Sequence, residues 1–151
     1  MLTVNDYPVG KIERFGRYEI TREEVLEFAG RFDPQPFHLD DAAAAANPIF
    51  GRLSASGWHT AAATMRMVVD HGKQKGGYSL GGAGLDELRW LKPVYPGDVL
   101  SAENEVLAAS APKSRTDIAF VKVKTTSYNQ NSEAVMTMTA NIIVSSGVPA
   151  V

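Results

Sequence analysis

Trp58-His59-Thr60-Ala61-Ala62-Ala63-Thr64-Met65-Arg66-Met67-Val68-Val69-Asp70-His71 is the stretch on which the fold class turns. It reads as one long helix, over about 58–71. Trp58, Ala61, Ala62, Met65, Val68 and Val69 recur at helical spacing and cover one broad apolar face. His59, Ala63, Arg66 and Asp70 form a narrower, more polar stripe. The three consecutive alanines allow close packing, as against a sheet. On this reading His59 has a polar or subunit-facing role.

Downstream of that helix the pattern changes. Residues 72–84 are glycine-rich and read as a loop, with a possible strand start at Tyr78–Leu80. Leu85–Leu91 and Val99–Ala108 are β-prone runs separated by Lys92-Pro93-Val94-Tyr95-Pro96-Gly97-Asp98, which is full of turn residues. Two further β-prone runs, 116–128 and 133–144, flank Asn129-Gln130-Asn131-Ser132, a hairpin signal. The tail after Ser145 reads as frayed.

Upstream, residues 21–32 form an amphipathic helix pattern, with Thr21 and Glu24 in capping-box spacing and Val25, Phe28, Ala29 and Phe32 on one face. Pro34 disfavours helical geometry at Asp33 and ends that helix. Pro36 keeps the following segment irregular. Asp40 or Asp41 caps a short helix through Ala42–Ala46, which Asn47-Pro48 terminates. Helices precede strands, so the chain is α+β and not an alternating parallel fold.

The 151 residues suit one domain, read here as 1–151. Apolar and charged fractions of 44% and 21% are ordinary, and a net charge of −2 offers nothing to nucleic acid or an anionic membrane. Without cysteine there are no disulfides, thiolate nucleophiles or Cys-based metal sites. No secretory pattern opens the sequence, and no apolar run approaches the roughly 20 residues needed to span a bilayer. A cytoplasmic location is the expectation.

Asp33-Pro34-Gln35-Pro36-Phe37-His38-Leu39-Asp40 holds the best pair for chemistry. A carboxylate and an imidazole held together can share a water and move its protons. Fully extended, the chain would separate Asp33 from His38 by roughly 17 Å, so the pair works only if the segment folds back. Otherwise Asp33 is a cap and His38 a satisfied loop histidine. A metal at His38, Asp40 and Asp41 is disfavoured, because only one imidazole is local and neither His59 nor His71 stands at HExxH spacing. Ser56-Gly57 precedes the long helix, where free N–H groups and the helix dipole can hold an oxyanion; Gly57 can equally serve only for a tight entry. Ser56 lacks the first glycine of a nucleophile elbow, since Ser54 stands there. Gly82-Ala83-Gly84 begins a dinucleotide fingerprint, but Glu87 occupies the place of its third glycine. Trp90, with Arg89 and Lys92, either lines a cleft or packs the strand.

"FDPQPFHLD" (32–40), followed by "FGRLSASGWHTAAATMRM" (50–67), resembles the MaoC-like dehydratase family, which includes the (R)-specific enoyl-CoA hydratases. "LDELRWLKPVYPGDVL" (85–100) resembles the strand and turn that recur there. The resemblance implies a hot-dog fold: a long central helix (58–71) wrapped by a curved antiparallel sheet (78–145), with an overhang (21–50) carrying the active site. It implies a homodimer or higher homo-oligomer, with the acyl-CoA tunnel near the subunit interface. It implies that Asp33 and His38 are catalytic, and that the Gly57 N–H is the donor to the thioester oxygen. Ser56 becomes a substrate-binding neighbour. Gln35 stands where many hydratases have asparagine, and Ser56 where many have histidine.

The activity so implied is reversible hydration of a trans-2-enoyl-CoA to an (R)-3-hydroxyacyl-CoA. Asp33 draws a proton from a bound water that His38 orients, and one of the two delivers a proton to the α-carbon. No metal or redox cofactor is expected, and CoA is the substrate's carrier. The alternatives are a hot-dog thioesterase and a non-catalytic acyl-CoA-binding or assembly subunit. Loops 47–56 and 72–84 are expected to shape the tunnel.

Overall fold

A computed structural model describes residues 1–148. One antiparallel sheet of five strands carries the fold: β1 (Ile12–Glu19), β2 (Gly81–Trp90), β3 (Val99–Ser110), β4 (Ile118–Tyr128) and β5 (Ala134–Ser145), in the order β1-β3-β4-β5-β2. Between β1 and β2 the chain forms α1 (Arg22–Phe32), α2 (Pro36–Leu39), α3 (Asp41–Ala46) and the long α4 (Gly57–Gln74). At 1.5 Å per residue α4 is about 27 Å long. It lies against β1 and β3. This is the α+β arrangement of helix and wrapped sheet anticipated above.

The β4 run alternates as a half-buried strand should, with Ala119, Val121 and Val123 inward. Beneath α4 the same inward row becomes polar: Thr125 donates to Asn104 Oδ1 at 2.7 Å, and Ser127 meets Thr64 at 2.6 Å. The Thr64 hydroxyl donates to the Thr60 carbonyl, so Ser127 supplies the hydrogen between the two hydroxyls. Full burial is tolerable because each hydroxyl has a partner.

Those contacts decide which side of α4 faces the sheet, and it is not the face expected. Buried are His59, Thr60, Ala63, Thr64 and Met67. The broad apolar face is turned outward: Trp58 is 56% and Met65 45% exposed, and Val69 is exposed with them. His59 is therefore enclosed within its own chain. Arg66 and Asp70, placed on its stripe, form an exposed ion pair at 2.8 Å.

β1 is a strand that the sequence pattern did not reveal. Its bulge falls between Phe15 and Tyr18, where Gly16 adopts φ +81°. A Cβ at Gly16 would come within 2.6 Å of Met67 Sδ, so this glycine serves both the left-handed backbone and the close approach of α4. β2 begins at Gly81, inside the segment read as loop. Of the tail read as frayed, Ser146 is held by the Asp117 and Thr116 carbonyls; residues 149–151 lie outside the described part. No helix among the described residues is long and apolar enough to cross a membrane.

Candidate active site

α1 ends at Asp33, as Pro34 requires, with Thr21 Oγ1 accepting from Glu24 N–H at the other end. The capping box does not close, because the Glu24 carboxylate is hydrogen-bonded by the Tyr18 hydroxyl instead. Pro36 does not keep its segment irregular. It occupies the first turn of α2, where a missing N–H costs nothing, and Gln35 stands at the N-cap. The resulting turn (His38 N–H to Gln35 O, 2.9 Å) folds the chain back on α1. Asp40 then caps α3, accepting from Ala43 N–H at 2.8 Å, while Asp41 is held bidentately by Arg22 at 3.0 and 2.7 Å.

That reversal puts His38 Nε2 3.3 Å from Asp33 Oδ2. His38 is 4% exposed, with Phe37 edge-on at 4.4 Å and Phe50 at 5.7 Å. Its Nδ1 lies 2.7 Å from the Ser54 carbonyl. A carbonyl only accepts, so Nδ1 carries hydrogen, and in the neutral ring the Nε2 lone pair faces Asp33. Both Asp33 oxygens are bonded: Gln35 Nε2 donates to Oδ1 at 2.6 Å and the Ser56 hydroxyl to Oδ2 at 2.7 Å. Partial burial pushes the Asp33 carboxyl up, but the bonds from Gln35 and Ser56, and His38 whenever it carries a second proton, outweigh it. The group titrates below the usual carboxylate range and is ionised near neutrality.

Ser56 is fully buried, and its oxygen also caps α4 by accepting from Trp58 N–H at 3.2 Å. The structure brings it to the Asp33 carboxylate and not to the cavity wall. The Gly57 N–H opens α4, and no group among the described residues accepts from it. Asp33, His38 and Gly57 line one cavity of about 420 Å³. Its other walls are largely apolar, with Phe37, Phe50, Trp58 and Trp90 among them and Lys92 beside them. Phe37 and Phe50 stack at 4.9 Å; the sequence carried no periodic signal that marked either as a wall. Loop 47–56 contributes Ile49, Phe50 and Ala55 to this cavity, whereas residues of 72–84 line a separate one of about 230 Å³ beside α4.

His59 is stacked on Phe28 at 4.9 Å, with Nε2 3.5 Å from Glu24 Oε1, and neither ring nitrogen has a hydrogen-bond partner among the described residues. Burial lowers its pKa, and Glu24 only partly offsets that.

The chain matches the family model described as MaoC like domain over residues 6–131. It is similar to the crystal structure of the MaoC-like dehydratase from Rhodospirillum rubrum: 42% identical, TM-score 0.85, covering 96% of this chain and 97% of that one. The (R)-hydratase of A. caviae involved in PHA biosynthesis is 27% identical, TM-score 0.69, over 91% of this chain and 96% of that one. A 61-residue stretch is 41% identical to mesaconyl-CoA hydratase of Cereibacter sphaeroides, spanning 40% of this chain and 18% of that protein. The chain belongs to the MaoC-like domain family and has its hot-dog fold, and a hydratase-type function follows at that level.

Proposed function

We propose that this family member catalyses the reversible hydration of a trans-2-enoyl-CoA to an (R)-3-hydroxyacyl-CoA. The observation that carries the reading is the 3.3 Å approach of Asp33 Oδ2 to His38 Nε2, an acceptor when the ring is neutral, in the same cavity as Gly57, whose N–H has no acceptor among the described residues.

Two acceptors at that spacing suit a water set to one side of both, with hydrogen bonds of about 2.8 Å to each. Donating both hydrogens leaves the oxygen lone pairs free to face the cavity. The water oxygen bonds to the β-carbon, and the C=C π electrons move into the thioester carbonyl. The Gly57 N–H and the start of α4 then stabilise the enolate oxygen. One water proton passes to the Asp33–His38 pair, and the pair returns a proton to the α-carbon, so the net change is addition of one water. The pair titrates as a unit. The thioester itself acidifies the α-carbon, and the scheme calls on no metal or redox group.

The test follows loss of conjugated thioester absorbance across trans-2-enoyl-CoA substrates, beside a free-thiol assay. Loss of conjugation without thiol release, abolished in His38→Ala, is expected. Thiol release would replace the reading with a thioesterase, and no reaction on any substrate with a non-catalytic acyl-CoA-binding subunit.

The same proposal includes a homodimer. β2 is an edge strand, exposed along most of its length, and the outward face of α4 adds Met65 and Val69. An open edge beside an apolar helix face is a surface that a second copy can cover on both counts.

A further inference from the structure

Trp90 ends β2, where its backbone sits opposite the fully buried Met136 of β5, and the next residue, Leu91, donates to Val135 O at 2.8 Å. The side chain therefore starts from a fixed point on the sheet. Its indole Nε1–H donates to the carbonyl of Gly57 at 2.8 Å, from 33 residues away in sequence. The ring also lies against the Gly57 α-carbon. A Cβ built there would fall 2.7 Å from both Nε1 and Cδ2, and closer still to Cε2. Trp58 packs edge-on against this indole at 5.2 Å.

We propose that Trp90 is a positioning residue for the oxyanion donor. Gly57 has no side chain to anchor it, and its N–H is not tied down by any acceptor among the described residues. Trp90 holds it from the other side, by ring contact at the α-carbon and by a hydrogen bond to the following peptide. The orientation of the Gly57 backbone, a lining residue of the cavity, is thereby set by a strand and not by the helix alone. Ser56, on the preceding peptide, is itself bonded to Asp33. The donor is thus fixed between the Asp33 carboxylate on one flank and the sheet edge on the other. The inference rests on the hydratase reading and deepens it.

The experiment measures kcat and KM for enoyl-CoA hydration by wild type, Trp90→Phe, Trp90→Ala and Gly57→Ala, and by the Gly57→Ala/Trp90→Ala double variant, with thermal melts alongside. Trp90→Phe keeps a ring and loses the N–H. It should lower kcat about tenfold with KM within about twofold, because a donor slightly out of place is felt in the transition state. Its pH profile should match wild type, since Asp33 and His38 are untouched. Gly57→Ala should cost on the order of a hundredfold in kcat alone, but less than about threefold when added to Trp90→Ala, because the two residues act as a unit. A raised KM at unchanged kcat in Trp90→Phe would overturn the proposal and leave Trp90 as a cavity wall. Additive losses would overturn it too. Wild type that hydrates no enoyl thioester would remove the hydratase reading and this inference together; active wild type with an unaffected Trp90→Phe removes this inference alone.

Discussion

The Ser56 hydroxyl donates to Asp33 Oδ2 at 2.7 Å across 23 residues of sequence, and the same oxygen caps the first turn of α4. One side chain thus joins the proposed base to the helix start. Ser56→Ala should cost about 1 kcal/mol of stability through the lost cap. It should also raise the Asp33 pKa, because one of the bonds holding that carboxyl low is gone. The carboxylate must be ionised to hold the water, so the acid limb of the kcat profile should move to higher pH. A pH–rate profile that keeps its acid limb in place would show that Ser56 does not tune Asp33.

Asp33→Asn and His38→Ala should each lower turnover by about 10²- to 10⁴-fold, the range for lost acid–base assistance. Both should leave secondary structure and oligomer size unchanged. Enoyl-CoA kinetics and light scattering check this. A large fall in melting temperature with turnover retained would make the pair a brace for the overhang.

Glu13 lies 2.8 Å from Lys75 and 3.1 Å from Lys11, with His71 Nε2 at 3.4 Å. Partial burial pushes its carboxyl up, but the two lysines and His71 bring it from 4.5 down to about 2. A depressed carboxyl contributes stability above its unfolded pKa and loses it as pH falls through the folded one. The window is therefore about pH 4.5 to 2. Urea unfolding across that window should show a shallower pH dependence in Glu13→Gln than in wild type. Equal slopes would count against the cluster.

Gly16→Ala should destabilise by about 2 kcal/mol, through a left-handed φ of +81° and a Cβ forced against Met67. Denaturant midpoints measure it. A neutral result would mean that the β1 bulge relaxes at little cost.

Met65→Lys with Val69→Lys tests the proposed dimer. Both side chains are exposed on the single chain, so the substitutions should leave the fold intact and shift the mass in solution to that of a monomer. An unchanged assembly would place the interface elsewhere.

The α1 stop at Asp33, a cap at Asp40 or Asp41, the hairpin at 129–132 and the approximate extents of β3, β4 and β5 were legible in sequence, because each depends on neighbours a few residues away. The orientation of α4 was not. Its strongest apolar stripe points outward, and its buried stripe mixes Ala63 and Met67 with His59, Thr60 and Thr64, of which Thr64 is met by Ser127 and His59 is stacked on Phe28. β1 escaped notice because Ile12–Glu19 mixes charge with Gly16 and finds its partner only at β3, with Ile12 opposite Glu105. At the site, the two prolines announced Asp33 and His38. Nothing local announced that the Ser54 carbonyl would set the tautomer of His38, or that an indole from β2 would reach Gly57.

Ser54, Ser56 and Gly57 lie within four consecutive residues, and each meets the proposed site through a different atom: a carbonyl on His38, a hydroxyl on Asp33, and an N–H with no acceptor among the described residues. This short ribbon works as a template whose spacing is written in covalent bonds. The cavity walls at Phe37, Phe50 and Trp58 contribute no hydrogen bond from their side chains to that ribbon. Phe37 and Phe50 nonetheless pack on the His38 ring, and Trp90 bonds Gly57, so under the proposed function a substitution in these walls should change acyl selectivity and turnover together.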